Sequence, residues 1–481
     1  MRFGWLGINL LGGILVLAFG AHSYRLARQG RAEVQHRLER RIEQCVPRTS
    51  AEIVYPAMGV TALGQPFEDR GEWETYFSEI VGGGGELWEG PPFELDAFYE
   101  QLLSGEGEGR AYPELRRDVL LLREAGVTKE MFLADVERVF QGPELLVAPS
   151  DSVRAYLRAV ESSAKGHLER ALEVGARERF DFRRRTVQGA LDGKAGCIPG
   201  QLRLPTIPST RVLAILRACM RARCVEGDVA QATVLLKGAY AHLSAYRGSH
   251  SFLGATLYSM LGCEWMRMVE DWLYCFSKDA DAGTLAWIEH SVRNLDLGEE
   301  LESAMIGQRA RALEFHCAVE EAISAGQLRE DQLPISLSTP IEFQMDRLLM
   351  LDCIEECLRR IRSGEGFELQ DCTGYQDAED GAYGRLGSLG QVVLGELPMM
   401  LHGFALLSEL QRMALAGLQS AAVGSEEALA ADAERPTLFA FGRLRVVQAD
   451  DGSRRLHMEP DPPGAGMGRS SEPWRMGPGV R

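Results

Sequence analysis

Residues 208–276 read PSTRVLAILRACMRARCVEGDVAQATVLLKGAYAHLSAYRGSHSFLGATLYSMLGCEWMRMVEDWLYCF. Val212, Ile215, Leu216 and Cys219 recur at three- and four-residue steps. So do Ala232, Leu235, Leu236, Ala239 and Leu243, after the turn signal Glu226-Gly227-Asp228. A third run from Ser251 carries Leu253, Leu257, Leu261, Trp265, Met268, Trp272 and Phe276. Such steps gather apolar side chains on one side of an α-helix. The reading is two antiparallel helices and a longer third, each needing partners to bury its apolar side. The fold expected is mainly α: an irregular, solenoid-like array of helical hairpins.

Toward the C-terminus, Asp279 to Gly283 is a break, and a helix is expected from Thr284 to about Asn294. The next carries Leu301, Ala304, Met305, Ala312, Leu313, Phe315, Val319 and Ile323, with Gly326 as its stop. Pro340 opens another at its first position, with Leu348, Leu351, Ile354 and Leu358 inward. Residues 363–390 hold seven glycines and an excess of acid, with Phe367, Leu369, Tyr375 and Tyr383 as apolar anchors. That mixture suggests a mobile segment that orders on a partner, or an insertion without a role. Helix returns over Leu397 to Ala422. Thr437–Phe441 and Leu444–Ala449 favour strand, Asp451-Gly452 signals a hairpin turn, and Arg455–Met458 can pair back. Residues 460–481 are rich in Pro, Gly and Ser and read as a disordered tail.

Toward the N-terminus, Gly193–Pro208 reads as a linker, and helices are expected over Ser150–Ala176, Lys129–Phe140 and Glu114–Ala125. Trp73, Tyr76, Phe77 and Ile80 suggest one more, ended by Gly82-Gly83-Gly84-Gly85. Those glycines lack the strand and the Lys-Ser/Thr pair of a phosphate loop. Phe3 to Ala21 is a run of 19 residues without charge. As helix it nearly spans a hydrocarbon core of roughly 30 Å. Trp5 and Tyr24 sit at its ends, and six arginines follow within 20 residues. An uncleaved, single-pass signal-anchor in the cell (inner) membrane is the expectation, a cleaved signal peptide the rival. The arginines favour a cytoplasmic body, whereas a short anchor before a large domain often does the opposite. Leu26, Val34, Leu38 and Ile42 continue an apolar stripe as a stalk helix that Pro47 would end. The expected divisions are 1–46 anchor and stalk, 47–150 mixed helix and loop, 151–362 helical core, 363–390 acidic glycine loop, 391–459 helix and β-hairpin, and 460–481 tail.

The formal net charge is −17, unevenly placed. Eight Arg against four Glu leave residues 1–60 at +4, so the rest carries −21. An acidic body repels phosphate backbones, which argues against nucleic acid. The basic-aromatic run RERFDFRRR at 177–185 reads as a solvated helix end rather than a single-strand groove. Ten cysteines include no CxxC, and those in helices (Cys219, Cys224, Cys263, Cys275, Cys317, Cys353, Cys357) read as small buried hydrophobes. No pair of histidines has metal-binding spacing, and His316 with Glu320 reads as helix-surface polarity. Glu264, Glu270 and Asp271 read as a solvated face opposite the tryptophan stripe rather than an acid–base pair. No catalytic, cofactor-binding or metal-ligating residue is nominated, and an enzyme is the less favoured class.

Arg217 to Ser244 resembles one degenerate tetratricopeptide repeat. Gly227 falls at the turn glycine, Ala232 and Ala239 at the small packing positions, and Leu236 at the large one. Met220, Arg223 and Ser244 depart from that motif. The N-terminal run, Val225-Glu226-Gly227-Asp228, Leu295–Leu301 and the helix-then-strand C-terminus resemble a group of uncharacterised membrane-anchored helical proteins of planctomycete-type bacteria. The resemblance implies architecture only. The functional expectation is a membrane-anchored α-helical scaffold or protein-interaction module with an unidentified protein partner. The alternatives are an enzyme or small-ligand or lipid binder with a pocket between helices, and an accessory subunit of an envelope complex.

Overall fold

The computed structural model describes residues 29–49 (31 apart), 52, 94–175, 206–248 (245 apart), 252–324 (279 apart), 340–367 (366 apart), 397–422, 439, 442–448, 454–460 and 474–475. A stalk helix covers 32–49. Then come α1 (Leu95–Ser104), a 3-10 turn (Gly107–Ala111), α2 (Pro113–Glu124), α3 (Lys129–Gln141), α4 (Glu144–Val147) and α5 (Asp151–Gly175). The central helices are α6 (Thr206–Glu226), α7 (Val229–Ser244) and α8 (Phe252–Phe276). They are followed by α9 (Ala282–Arg293), α10 (Leu297–Ser324), α11 (Pro340–Ser363) and α12 (Leu397–Ala422). The chain closes with β1 (Gly442–Gln448), β2 (Arg454–Pro460) and β3 (Trp474–Arg475).

The α6–α7 turn follows from its two residues. Gly227 takes φ 73°, which closes α6 without a Cβ clash. Asp228 then accepts a hydrogen bond from the Gln231 backbone N–H at 3.1 Å and starts α7. The same device recurs at Thr128 for α3, Asp281 for α9 and Asp296 for α10. The expected inward residues of α6 and α7 are all buried. On α8, Leu257, Leu261, Trp265, Met268, Trp272 and Phe276 are buried, whereas Leu253 is exposed. Trp265 donates to the Leu236 carbonyl at 3.2 Å and Trp272 to Thr233 Oγ1 at 3.1 Å, so both indoles knit α8 to α7.

α12 lies along α8 with glycines at the crossing. A Cβ on Gly262 would sit 2.6 Å from Leu407 Cδ2, and one on Gly403 would overlap Ser259 Oγ. The two helices therefore approach closer than larger residues allow. Buried side chains from Leu38 in the stalk helix to Trp474 in β3 form one connected apolar cluster.

The stalk helix does not stop at Pro47; it runs to residue 49. Thr49 Oγ1 donates to the Cys45 carbonyl at 2.8 Å, and Arg309 of α10 reaches Thr49 Oγ1 at 2.7 Å. Those bonds hold the last turn although proline withholds one backbone donor. Arg309 is fully buried and also binds Glu355 of α11 at 2.7 Å and Glu52. Arg41 donates to Asp352 of α11 at 2.7 Å.

The expected C-terminal hairpin forms, with Leu444 opposite Met458 and Val446 opposite Leu456; the Thr437–Phe441 stretch lies outside the described residues except Phe439, which is in no strand. A third strand, β3, joins it antiparallel with Trp474 opposite Leu456. The tail expected to lack structure thus contributes a buried Trp474, seated against Gly417 of α12. Phe367, from the acidic glycine loop, is buried and stacks on Phe439 at 5.6 Å. Glu365 of that loop is bound by Arg359 rather than left to repel its neighbours. The rest of the loop, the 73–85 stretch, the 177–185 run and the charge-free run 3–21 lie outside the described residues. Among the described residues no helix is long and apolar enough to cross a membrane.

Candidate functional site

Helices α3, α5, α6, α8 and α12 do not close completely on one another. A cavity of about 640 Å³ remains between them, within the roughly 300–1,000 Å³ usual for small-molecule sites. α3 contributes Val139 and Phe140; α5 contributes Tyr156, Leu157 and Val160. α6 presents Ala214, Arg217, Ala218 and Arg221; α8 presents Thr256, Met260, Leu261, Cys263 and Glu264. α12 closes it with Met399, His402, Gly403 and Leu406. Thr256 and Glu264 are two turns apart, so the cavity follows roughly 12 Å of helix by the standard rise per residue. Its walls are mostly apolar, and Met260 and Met399 lie exposed at the rim.

Besides Thr210, Ser259 and His402, the polar groups at this cavity form two sets. The first is saturated. Arg221 donates from Nε to Asp271 Oδ2 at 2.7 Å, from Nη2 to Asp271 Oδ1 at 3.2 Å, and from Nη1 to the Val139 carbonyl at 2.7 Å. Burial pushes the Asp271 carboxyl up, but Arg221 and then Arg217 more than offset it and hold it below the usual aspartate range. Asp271 is therefore a fixed buried anion.

The second set has bonding capacity left over. Arg217 Nη1 donates to Glu264 Oε2 at 2.7 Å. Its Nε makes no hydrogen bond, with Asp271 Oδ2 at 3.5 Å. Burial disfavours the Arg217 charge, yet Asp271 and Glu264 outweigh that and keep it cationic. The Tyr156 hydroxyl and Thr256 Oγ1 are buried without a hydrogen-bond partner. Burial pushes the Tyr156 phenol well up, so it remains a protonated donor. An unmatched buried polar atom costs about 1–3 kcal/mol. Arg217 Nε is partly compensated by the Asp271 charge at 3.5 Å, whereas the Tyr156 and Thr256 oxygens are enclosed by their neighbours.

The acidic trio expected on a solvated face divides. Glu264 is exposed, but Glu270 and Asp271 are buried. Burial raises the Glu270 carboxyl, while Arg267 at 2.7 Å and the Arg475 backbone N–H at 2.7 Å counter it. β3 supplies that last donor, and its docking is what encloses Glu270. Periodicity alone puts all three acids opposite the tryptophans; α8 is instead packed on nearly all sides, by α6, α7, α12 and β3. Cys219, Cys224, Cys353 and Cys357 are buried as expected, and Cys263 and Cys275 are half-buried. Cys263 lines the cavity, but burial pushes its thiol up to about 12, so it is no nucleophile at neutral pH. The side chains of Cys317, His316 and Glu320 lie outside the described residues. Among the described residues no group of three or more His, Cys, Asp or Glu converges as a metal site.

Sequence reasoning passed over Arg217, Arg221, Tyr156 and Thr256. Arg217 and Arg221 stand one turn apart on the side of α6 opposite Val212, Leu216 and Cys219, where periodicity reads them as solvated, so the sequence carries no signal for them. No protein-family model matches the chain, and neither a curated protein nor a solved structure matches it significantly.

Proposed function

We propose that the chain is a membrane-anchored helical body that binds a small apolar molecule in the cavity between α3, α5, α6, α8 and α12. The observation that carries this is the cavity itself, about 640 Å³ and largely apolar, left open between five packed helices. Helical cores are normally packed full. A scaffold acting only through its surface has no use for such a cavity, so binding displaces scaffolding as the leading reading.

The anchor belongs to the same proposal. Its support is the charge-free run 3–21 with the arginines after it. The stalk helix is clamped to α10 and α11 through Arg309 and Arg41, so an anchor at its start would hold the whole body near the lipid surface. An apolar ligand would be available there. Kinship with the planctomycete-type anchored helical proteins remains part of this proposal, on the stretches quoted above.

Native mass spectrometry of the full chain tests binding. Lauryl alcohol, uncharged and apolar, should add once per chain. Ala214 is exposed at the cavity, so Ala214→Trp fills the cavity without entering the core and should abolish the adduct. Equal adduct formation by both proteins would refute the cavity as the site.

A further inference from the structure

This inference rests on the cavity being a ligand site and concerns the head of the ligand. Arg217 lines the cavity; its Nε is turned to Asp271 Oδ2 at 3.5 Å, so Nη1 and Nη2 are the donors a ligand would meet. Arg217 has a single direct hydrogen bond to a carboxylate, Glu264, whose side chain is 54% exposed. Asp271, by contrast, is 2% exposed and doubly bonded to Arg221. The two acids are therefore not equivalent. Glu264 can return to water at little cost, whereas Asp271 cannot.

We propose that the cavity takes a long-chain monocarboxylate, its carboxylate replacing Glu264 on Arg217 and its alkyl chain lying among Met260, Met399 and Leu406. A guanidinium binds a carboxylate best through two parallel N–H bonds, which Nη1 and Nη2 of Arg217 would offer once Glu264 leaves. Charge sets the head to a monoanion. With Glu264 turned outward, Arg217 and Arg221 against Asp271 leave one positive charge. A phosphate dianion would leave a buried excess of negative charge, which is costly. The apolar walls then account for the rest of the molecule, since each buried methylene multiplies affinity by about fourfold.

The test compares laurate, lauryl alcohol and lauryl phosphate on the full chain by native mass spectrometry at neutral pH. A free fatty acid is distinguished from a phosphate-headed lipid by the third arm. Laurate should bind about tenfold or more tighter than the alcohol, as a charge-assisted hydrogen bond implies. Lauryl phosphate should not exceed laurate. Arg217→Gln should bring laurate and the alcohol to parity. Glu264→Gln removes the competing carboxylate and should widen the laurate-to-alcohol ratio, and this variant decides the matter if Arg217→Gln does not fold. Equal binding of alcohol and laurate by the native chain, or preference for the phosphate, overturns the head assignment while leaving the cavity as a ligand site. Binding of none of the three overturns both.

Discussion

Asp271 shows how one buried residue ties the site to stability. Its carboxylate holds Arg221 by two hydrogen bonds, and Arg221 in turn holds the Val139 carbonyl at the end of α3. Asp271→Asn removes the anion and leaves Arg221 buried without a counter-charge. The expected loss is about 3–5 kcal/mol at neutral pH, read from the urea midpoint of the full chain. The pH dependence has a definite sign. The folded-state carboxyl is held below its ordinary value, so its contribution is complete above the unfolded aspartate range near ~3.9. It is lost as pH falls through the folded value, and the gap between wild type and variant should narrow there. A gap independent of pH would mean that Asp271 acts by shape alone. Glu270, its neighbour, works in the opposite sense: its raised carboxyl favours the proton, so acidification toward the ordinary glutamate range relieves the folded state.

At the level of elements, the helices were largely legible and their surroundings were not. The stripe Leu348, Leu351, Ile354 and Leu358 marks α11, and Glu226-Gly227-Asp228 and Asp279–Gly283 mark breaks, because turn signals and periodicity are local. The fate of Glu270 was not legible, since it depends on Arg475, two hundred residues away. Nor was the extension of the stalk helix past Pro47, which depends on Arg309. Arg309 therefore carries a prediction. Arg309→Met leaves Glu355, Glu52 and Thr49 without their shared donor and should cost about 3–5 kcal/mol. Trypsin should then cut sooner at Arg40, Arg41 and Arg48, because the stalk helix loses its hold on α10. An unchanged cleavage order would mean that the apolar stripe of Leu38 and Ile42 suffices.

On the scale of the whole molecule, the mainly helical class and the C-terminal hairpin follow from the sequence pattern, whereas the third strand does not. β3 is two residues long and is recognisable only once Trp474 has a place beneath α12. The cavity was illegible for a related reason. It is bounded by five helices spread over residues 129–422, and a void has no residue of its own. Its polar members appear as ordinary single residues within apolar helices. Whether that void is a binding site is answered most directly by anomalous diffraction. Crystals of the full chain grown with a lauryl alcohol brominated at the tail should show one bromine peak inside the space between α6, α8 and α12. Bromine found only outside that space, with the cavity empty, would contradict the account.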